Sequence, residues 1–172
     1  LEDSSPRVAS LAAIALSNHG HQDAVEPAIK MLEKNDDNDV VVRHAGIMVL
    51  TKCAQFAPEW KYYDHRSTAV RRAIVIALRR HKSHLLETYF TDRDQSVRQE
   101  AIRAAYEMDV RKSYRALSNQ AHSIALKVSP EVKWHPLTAR RAIFAAWVLG
   151  QAKDAEVIAK IAANPKIEIG RA

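Results

Sequence analysis

The chain has 172 residues, of which 47% are hydrophobic, four are glycine, six are proline and one is cysteine. This composition excludes a long disordered linker, and the single Cys53 excludes an internal disulfide. No apolar run reaches the roughly 18 residues of a membrane-spanning helix, whereas the net charge of +6 keeps nucleic acid open as a partner.

A sequence motif, called the phrase below, recurs five times along the chain. In it, an aspartate is followed five or six residues later by a valine, an arginine and small apolar residues. The complete copies are Asp37 with Val42-Arg43, Asp64 with Val70-Arg71, and Asp92 with Val97-Arg98. The first copy, at Asp3 and Val8, lacks the arginine, and the last copy, at Ala139-Arg140, lacks the aspartate. Self-similarity at intervals of about one helical hairpin predicts a repeat architecture.

Each phrase begins a predicted α-helix with one apolar face. Counted from the valine, small or apolar residues fall mostly at positions three, four, seven and eight. The first copy predicts a buried face made of Val8, Leu11, Ala12, Ala15 and Leu16. In the last copy the same pattern predicts that Trp147 belongs to the core.

The segments between the phrases predict a second helix for each hairpin, at 21–35, 83–91, 111–128 and 154–163. Residues 55–65 leave room for only a short helical turn, with Pro58 near its start. We expect a single domain over 1–172, with repeats at 3–35, 36–63, 64–91, 92–128 and 129–163 and the start of a sixth at 164–172. Because neither end carries a polar cap, we also expect a segment of a longer protein.

The charged residues of the phrase predict a structural ladder. Each aspartate would accept backbone N–H groups at a helix start, and each arginine would reach the aspartate of an adjacent repeat. The predicted ladder comprises Asp37, Arg43, Asp64, Arg71, Asp92, Arg98 and Arg140. This assignment removes these residues from the candidates for ligand binding.

The phrase resembles a known family. The segments DNDVVVRHAGIMVL (37–50) and DRDQSVRQEAIRAA (92–105) resemble HEAT repeats of the short bacterial type, similar to those of bilin lyases. The resemblance implies an all-α, right-handed α-α superhelix of about five helical hairpins, acting as a non-catalytic protein–protein interaction or scaffold module. The implied partner is another protein or another domain of the same chain.

A narrower resemblance is carried by DNDVVVRHA (37–45) and RRAIFAAWVLG (140–150). These segments are similar to HEAT segments inside long bacterial proteins that pair a dehydrogenase-like propeller with a c-type haem module. That resemblance implies an accessory domain in the periplasm or cell envelope, whereas otherwise the cytoplasm is expected. A bilin-lyase-like role is a further alternative, with no residue to name for it.

Nucleic-acid binding, as in glycosylases of related fold, is the second interpretation. Basic clusters lie at 71–72, 79–82, 111–115 and 140–141, and Trp60-Lys61-Tyr62-Tyr63 mixes aromatic and basic residues. The paired histidines at 19 and 21 and at 81 and 84 are too few for a metal site, and no histidine precedes a glutamate. No catalytic residue, metal or cofactor is therefore expected.

Trp60, Tyr63 and Trp134 are the candidate partner-binding residues, because bulky rings anchor protein interfaces. The alternative is that Trp60 and Tyr63 fill the short second hairpin while Trp134 pins its loop to the core.

Overall fold

The computed structural model describes residues 1–126 and 135–165, and every regular element in this part of the chain is helical. The eight α-helices are α1 (Pro6–His19), α2 (Val25–Asn35), α3 (Val40–Cys53), α4 (Thr68–Arg80), α5 (Gln95–Glu107), α6 (Tyr114–Leu126), α7 (Pro136–Leu149) and α8 (Ala152–Ala162). Three short 3-10 helices lie at Gln22–Ala24, His84–Tyr89 and Arg111–Ser113. For the residues that the structure describes, the prediction of an all-α fold is confirmed.

The five phrases form α1, α3, α4, α5 and α7, and these helices pack in chain order. Helix α3 lies between α1 and α4, and α5 contacts both α4 and α7. The helices that lie between the phrase helices are arranged less regularly. Helix α2 packs on α3 and α4, and α6 packs on α7 and α8. Among the described helices, none is both long and apolar enough to cross a bilayer.

The short helical turn predicted at 55–65 and the second helix predicted at 83–91 are both less helical than expected. Residues 54–67 form turns and contain no helix, and the segment predicted at 83–91 is the 3-10 helix His84–Tyr89. In a 3-10 helix, residues three apart lie on the same side, which allows Leu86 and Tyr89 to enter the core together.

Small residues allow the helices to approach closely. All five phrase positions in α3 and in α4 are buried. Gly46 of α3 lies directly beneath Leu32 of α2, since a Cβ atom built on Gly46 would come within 2.6 Å of Leu32 Cγ. The glycine therefore sets the distance between α2 and α3.

The helix-capping residues differ from those predicted. Asp39 accepts hydrogen bonds from the backbone N–H groups of Val41 and Val42, at 2.7 and 3.1 Å, and Asp94 caps α5 in the same way. Ser67 caps α4. Only the residue directly before the first helical residue can reach these N–H groups, so Asp37, Asp64 and Asp92 lie too early in the chain to act as caps.

The prediction of which face of α1 is buried is also wrong. Its buried residues are Ala9, Ser10, Ala13 and Ser17. Val8 and Leu11 are 49% and 60% exposed, Ile14 and Leu16 are each 37% exposed, and Ala15 is exposed as well. Helix α1 packs chiefly against α3, and the 3-10 helix that follows it covers only a little more. One side of an otherwise apolar helix is therefore left open.

Candidate binding surfaces

Arg71 and Asp92 form the best-buried ion pair among the described residues. Arg71 Nε lies 2.8 Å from Asp92 Oδ2, and Arg71 Nη2 lies 3.1 Å from Asp92 Oδ1. The remaining guanidinium nitrogen donates to the backbone carbonyls of His65 and Arg66. With side chains 1% and 6% exposed, this pair joins two successive repeats and offers nothing to a ligand.

The other ladder residues make different contacts from those predicted. Arg43 lies 3.7 Å from Asp37 of its own repeat, and the link to the next repeat comes from Arg72, at 2.9 Å from Asp37. Asp64 is paired with Arg93 at 2.8 Å. Arg98 donates to the backbone carbonyl of Asp92, and Arg140 is half-buried on α7. Repeats are thus linked by ion pairs, but the arginine that reaches across differs from copy to copy. Asp92 pairs with Arg71 on α4, Asp37 with Arg72 on α4, and Asp64 with Arg93 in the turn before α5.

An open groove lies between the start of α2 and the turns at 57–62. It has a volume of about 760 Å³, and Asp23, Glu26, Lys30, Glu59, Trp60 and Tyr62 are among its lining residues. Trp60 is half-buried and makes edge-to-face contacts with Phe56 and Tyr62, both at 5.0 Å between ring centroids. Of the two described residues predicted to bind a partner, Trp60 and Tyr63, Trp60 is the one that lines this groove.

Tyr63 lies beneath this groove. Its side chain is 8% exposed and packs between Trp60 and Tyr89, at centroid distances of 5.6 and 6.1 Å. Burial raises the pKa of Tyr63 to about 12. The residue therefore fills the short second hairpin, in agreement with the alternative assignment. Trp134 lies outside the described residues.

An aromatic shelf, defined by Tyr106, Phe144 and Trp147, lies across α5 and α7. The ring of Phe144 is 5.1 Å from that of Tyr106 and 5.7 Å from that of Trp147. Arg141 lies over Tyr106, at 5.9 Å from the ring centroid. Trp147, predicted to be buried, is instead 68% exposed. The apolar spacing placed Trp147 on the buried face of α7, but in the part of the chain that the structure describes this position lies at the surface.

A buried polar cluster connects α6 to α8. Asp154 is 1% exposed and accepts hydrogen bonds at 2.9 Å from Ser118 Oγ and His122 Nε2, while Arg115 lies 3.4 Å away. Burial on its own would raise the pKa of Asp154, but the hydrogen bonds from His122 and Ser118 and the charge of Arg115 together hold it below its usual range. The cluster serves to hold α6 and α8 together.

One histidine of each pair considered as a metal ligand makes a contact within the chain. His81 contacts the carbonyl oxygen of Thr51 at 2.7 Å, and His21 lies 3.4 Å from Asp23. Across 1–126 and 135–165, no three residues of the types His, Cys, Asp and Glu come together as a metal site would require. Cys53 is 3% exposed, and burial raises the pKa of its thiol, which keeps it protonated and unreactive.

Many of the basic side chains are already paired with carboxylates. In the cluster at 79–82, Arg79 bridges Glu100 and Glu107 at 3.3 and 2.9 Å. In the cluster at 111–115, Arg111 lies 2.6 Å from Asp109. These contacts reduce the cationic surface that could follow a phosphate backbone.

No family model and no curated protein matches this chain.

Proposed function

We propose that this chain is a non-catalytic protein–protein interaction module built from HEAT-type repeats, whose helical hairpins stack as a right-handed α-α superhelix. The observation that carries the proposal is the aromatic shelf. Tryptophan, tyrosine and arginine dominate the binding energy of protein interfaces, and here Trp147, Tyr106 and Arg141 lie together on the surface around Phe144.

The packing order supports the repeat architecture. The five phrase helices contact one another in sequence, and the ion pairs of Asp37, Asp64 and Asp92 each join neighbouring repeats. A stack of this kind buries its core between repeats, so that whole helix faces remain available on the outside.

The electrostatic environment favours a protein over a nucleic acid as the partner. The shelf lies beside Glu107 as well as beside Arg103 and Arg141. Glu107 forms ion pairs with both Arg79 and Arg103. The groove at Trp60 carries Asp23, Glu26 and Glu59 against Lys30 and Lys61. Interspersed charges of both signs suit a polar protein rim, whereas a phosphate backbone requires an uninterrupted cationic track.

Photocrosslinking from the shelf tests this proposal. A benzoylphenylalanine residue placed at position 147 is expected to crosslink to one partner protein in extracts of the source cells. With that partner purified, Trp147→Ala should weaken binding by about tenfold or more, as expected for an interface anchor. The matched control is Leu137→Ala, on the same helix and 45% exposed, which should leave binding within about twofold.

The second test concerns nucleic acid. Labelled single-stranded RNA and DNA titrated across a salt series should show no binding above the level of a non-specific basic protein. Tight, strongly salt-dependent binding that Trp147→Ala or Trp60→Ala reduces would replace the protein partner with a nucleic acid. Binding of the crosslinked protein that is the same for wild type and Trp147→Ala would rule out the shelf as its anchor.

A further inference from the structure

The groove at Trp60 lies between two repeats. One wall is the exposed side of α2 and of the short helix before it, and the other wall is the turn segment 57–62. Two ion pairs connect α2 to the residues between α3 and α4, with Lys61 at 3.7 Å from Glu26 and Arg66 at 2.7 Å from Glu33. Because both walls belong to the described residues, the groove is formed whatever adjoins the chain at either end.

The groove is acidic although the chain as a whole is basic. Carboxylates of Asp23, Glu26 and Glu59 line it, against the ammonium groups of Lys30 and Lys61. With histidine counted as neutral, the lining carries one negative charge in excess, whereas the chain carries +6. Both lysines pair with the same carboxylate, that of Glu26, at 3.8 and 3.7 Å. In the part of the chain that the structure describes, no lysine or arginine pairs with Asp23 or Glu59, which favours a cationic ligand.

Lys61 shows which kind of chemical group the groove accepts. Its ammonium nitrogen lies over the ring of Tyr62, at 4.8 Å from the centroid, and 3.7 Å from a carboxylate oxygen of Glu26. A cation is thus already held between an aromatic ring and a carboxylate, the two kinds of surroundings that attract ammonium and guanidinium groups. The side chains of Lys61 and Glu26 are both largely exposed. The internal contact is therefore weak, and a cation from another molecule can replace it.

Trp60 provides a second aromatic ring in the same groove. It is half-buried and packs against the rings of Phe56, Tyr62 and Tyr63, at centroid distances of 5.0, 5.0 and 5.6 Å. A ring held by three neighbours loses little conformational freedom when a ligand packs on it. Among cationic side chains arginine suits such a place best, because its planar guanidinium group stacks on an aromatic ring while its N–H groups bond to carboxylates.

We propose that the groove at Trp60 binds an arginine side chain of a partner protein. The guanidinium group packs on Trp60 and Tyr62 and bonds to the carboxylates of Glu26 and Glu59. Lys61 occupies part of this site in the free protein and is displaced when the arginine binds. The site does not depend on the aromatic shelf, which belongs to α5 and α7, so the two surfaces are tested separately.

Titration with short blocked peptides tests the proposal. The probe is acetyl-Gly-Arg-Gly-amide, and the control is the same peptide with citrulline, which keeps the shape of arginine but carries no charge. The chain contains three tryptophans, so the indole N–H signal of Trp60 is readily followed by NMR and assigned through Trp60→Phe. The arginine peptide should shift this signal with a dissociation constant in the millimolar range, as expected for a single cation at an exposed site. The citrulline peptide should bind more weakly by about tenfold or more.

Charge variants distinguish this site from a general effect of net charge. Lys61→Gln removes the internal cation and should tighten binding of the arginine peptide by about threefold, whereas Glu59→Gln should weaken it by a similar factor. The matched controls are Lys153→Gln and Glu156→Gln, at exposed positions of α8, which packs on α6 and α7. They change the net charge equally but should leave the affinity within about 1.5-fold, because distant surface charges are screened by salt.

Several outcomes would overturn the proposal. These are a Trp60 signal that does not move, equal shifts by the arginine and citrulline peptides, and weaker binding to Lys61→Gln than to wild type. An equal shift by acetyl-Gly-Pro-Pro-Gly-amide would replace the arginine with a proline-rich ligand. Trp147→Ala should leave the affinity for the arginine peptide unchanged, so failure at the groove is distinguishable from failure at the shelf. Circular dichroism should show every variant folded.

Discussion

Arg71 and Asp92 are 21 residues apart in sequence and form a two-bond ion pair that is almost fully enclosed. Arg71 also donates to the two backbone carbonyls that lead into its own helix. One side chain therefore holds the start of α4, the turn before it and the turn that precedes α5. The pair therefore links two successive repeats through an enclosed, two-bond contact.

Removing one partner of this pair should be severely destabilising. Arg71→Ala leaves the buried carboxylate of Asp92 without its cation, and we expect the free energy of unfolding to fall by about 3–5 kcal/mol in urea denaturation. Asp64→Ala is the control, since the Asp64 side chain is 92% exposed and such a pair contributes less than about 1 kcal/mol. Similar losses for the two variants would contradict the structural role of Arg71.

Asp94 should contribute as the cap of α5. It accepts hydrogen bonds from the N–H groups of Ser96 and Val97, at 2.8 and 3.2 Å, and its bonds to Ser96 lower its pKa. Asp94→Ala should reduce stability by about 0.5–2 kcal/mol. Gln95→Ala, at the exposed neighbouring position, should change it by less than about 0.5 kcal/mol. Thermal unfolding followed by circular dichroism measures both, and an unaffected Asp94→Ala protein would argue against this cap.

Gly46→Ala tests the close approach of α2 to α3. The added Cβ would clash with Leu32 Cγ, and overpacking of this kind reduces stability by about 1–3 kcal/mol even though alanine favours a helix. In the background of Leu32→Ala the clash is absent, so the same substitution should become neutral or stabilising. A double-mutant cycle measured by urea denaturation gives the coupling between the two residues. Additive effects would show that Leu32 is not the obstacle.

Acid sensitivity should depend on Asp154. Its pKa is lower in the folded protein than in the unfolded chain, so the unfolded state binds the proton more readily. The stabilisation is therefore complete above the ordinary carboxyl pKa of about 3.9 and is lost as the pH falls through the lower folded-state value. At neutral pH, Asp154→Asn should reduce stability by about 1–3 kcal/mol.

The variant Asp154→Asn should also show a weaker loss of stability between neutral and acidic pH than wild type does. Glu156→Gln, at an exposed position of the same helix, serves as the matched control and should retain the wild-type pH profile. The free energy of unfolding of each variant, measured at several pH values, tests whether Asp154 governs the loss of stability in acid. Equal pH profiles for wild type and Asp154→Asn would mean that another carboxylate governs acid unfolding.

Comparison of α1 with α3 shows where the sequence-based predictions stop. Both helices carry the same apolar spacing, and both were predicted to bury it. In α3 the face is closed by α2 and by the neighbouring phrase helices, with Gly46 beneath Leu32. In α1 the spacing is present, but among the described helices none closes this face, so Val8 and Leu11 are exposed. Periodicity identifies which side chains share a face, but it contains no information about what lies opposite.

The sequence by itself determined that the chain is helical and where the five phrase helices lie, because helix formation depends on local spacing and on residues close to each helix. Tertiary structure alone decided which aspartate pairs with which arginine of the next repeat, and that Trp147 is exposed while Tyr63 is buried. These outcomes depend on contacts between residues that are 20 to 40 positions apart. Their geometry follows from the packing of whole helices, and that packing is set by side-chain volumes on both partners rather than by either segment alone.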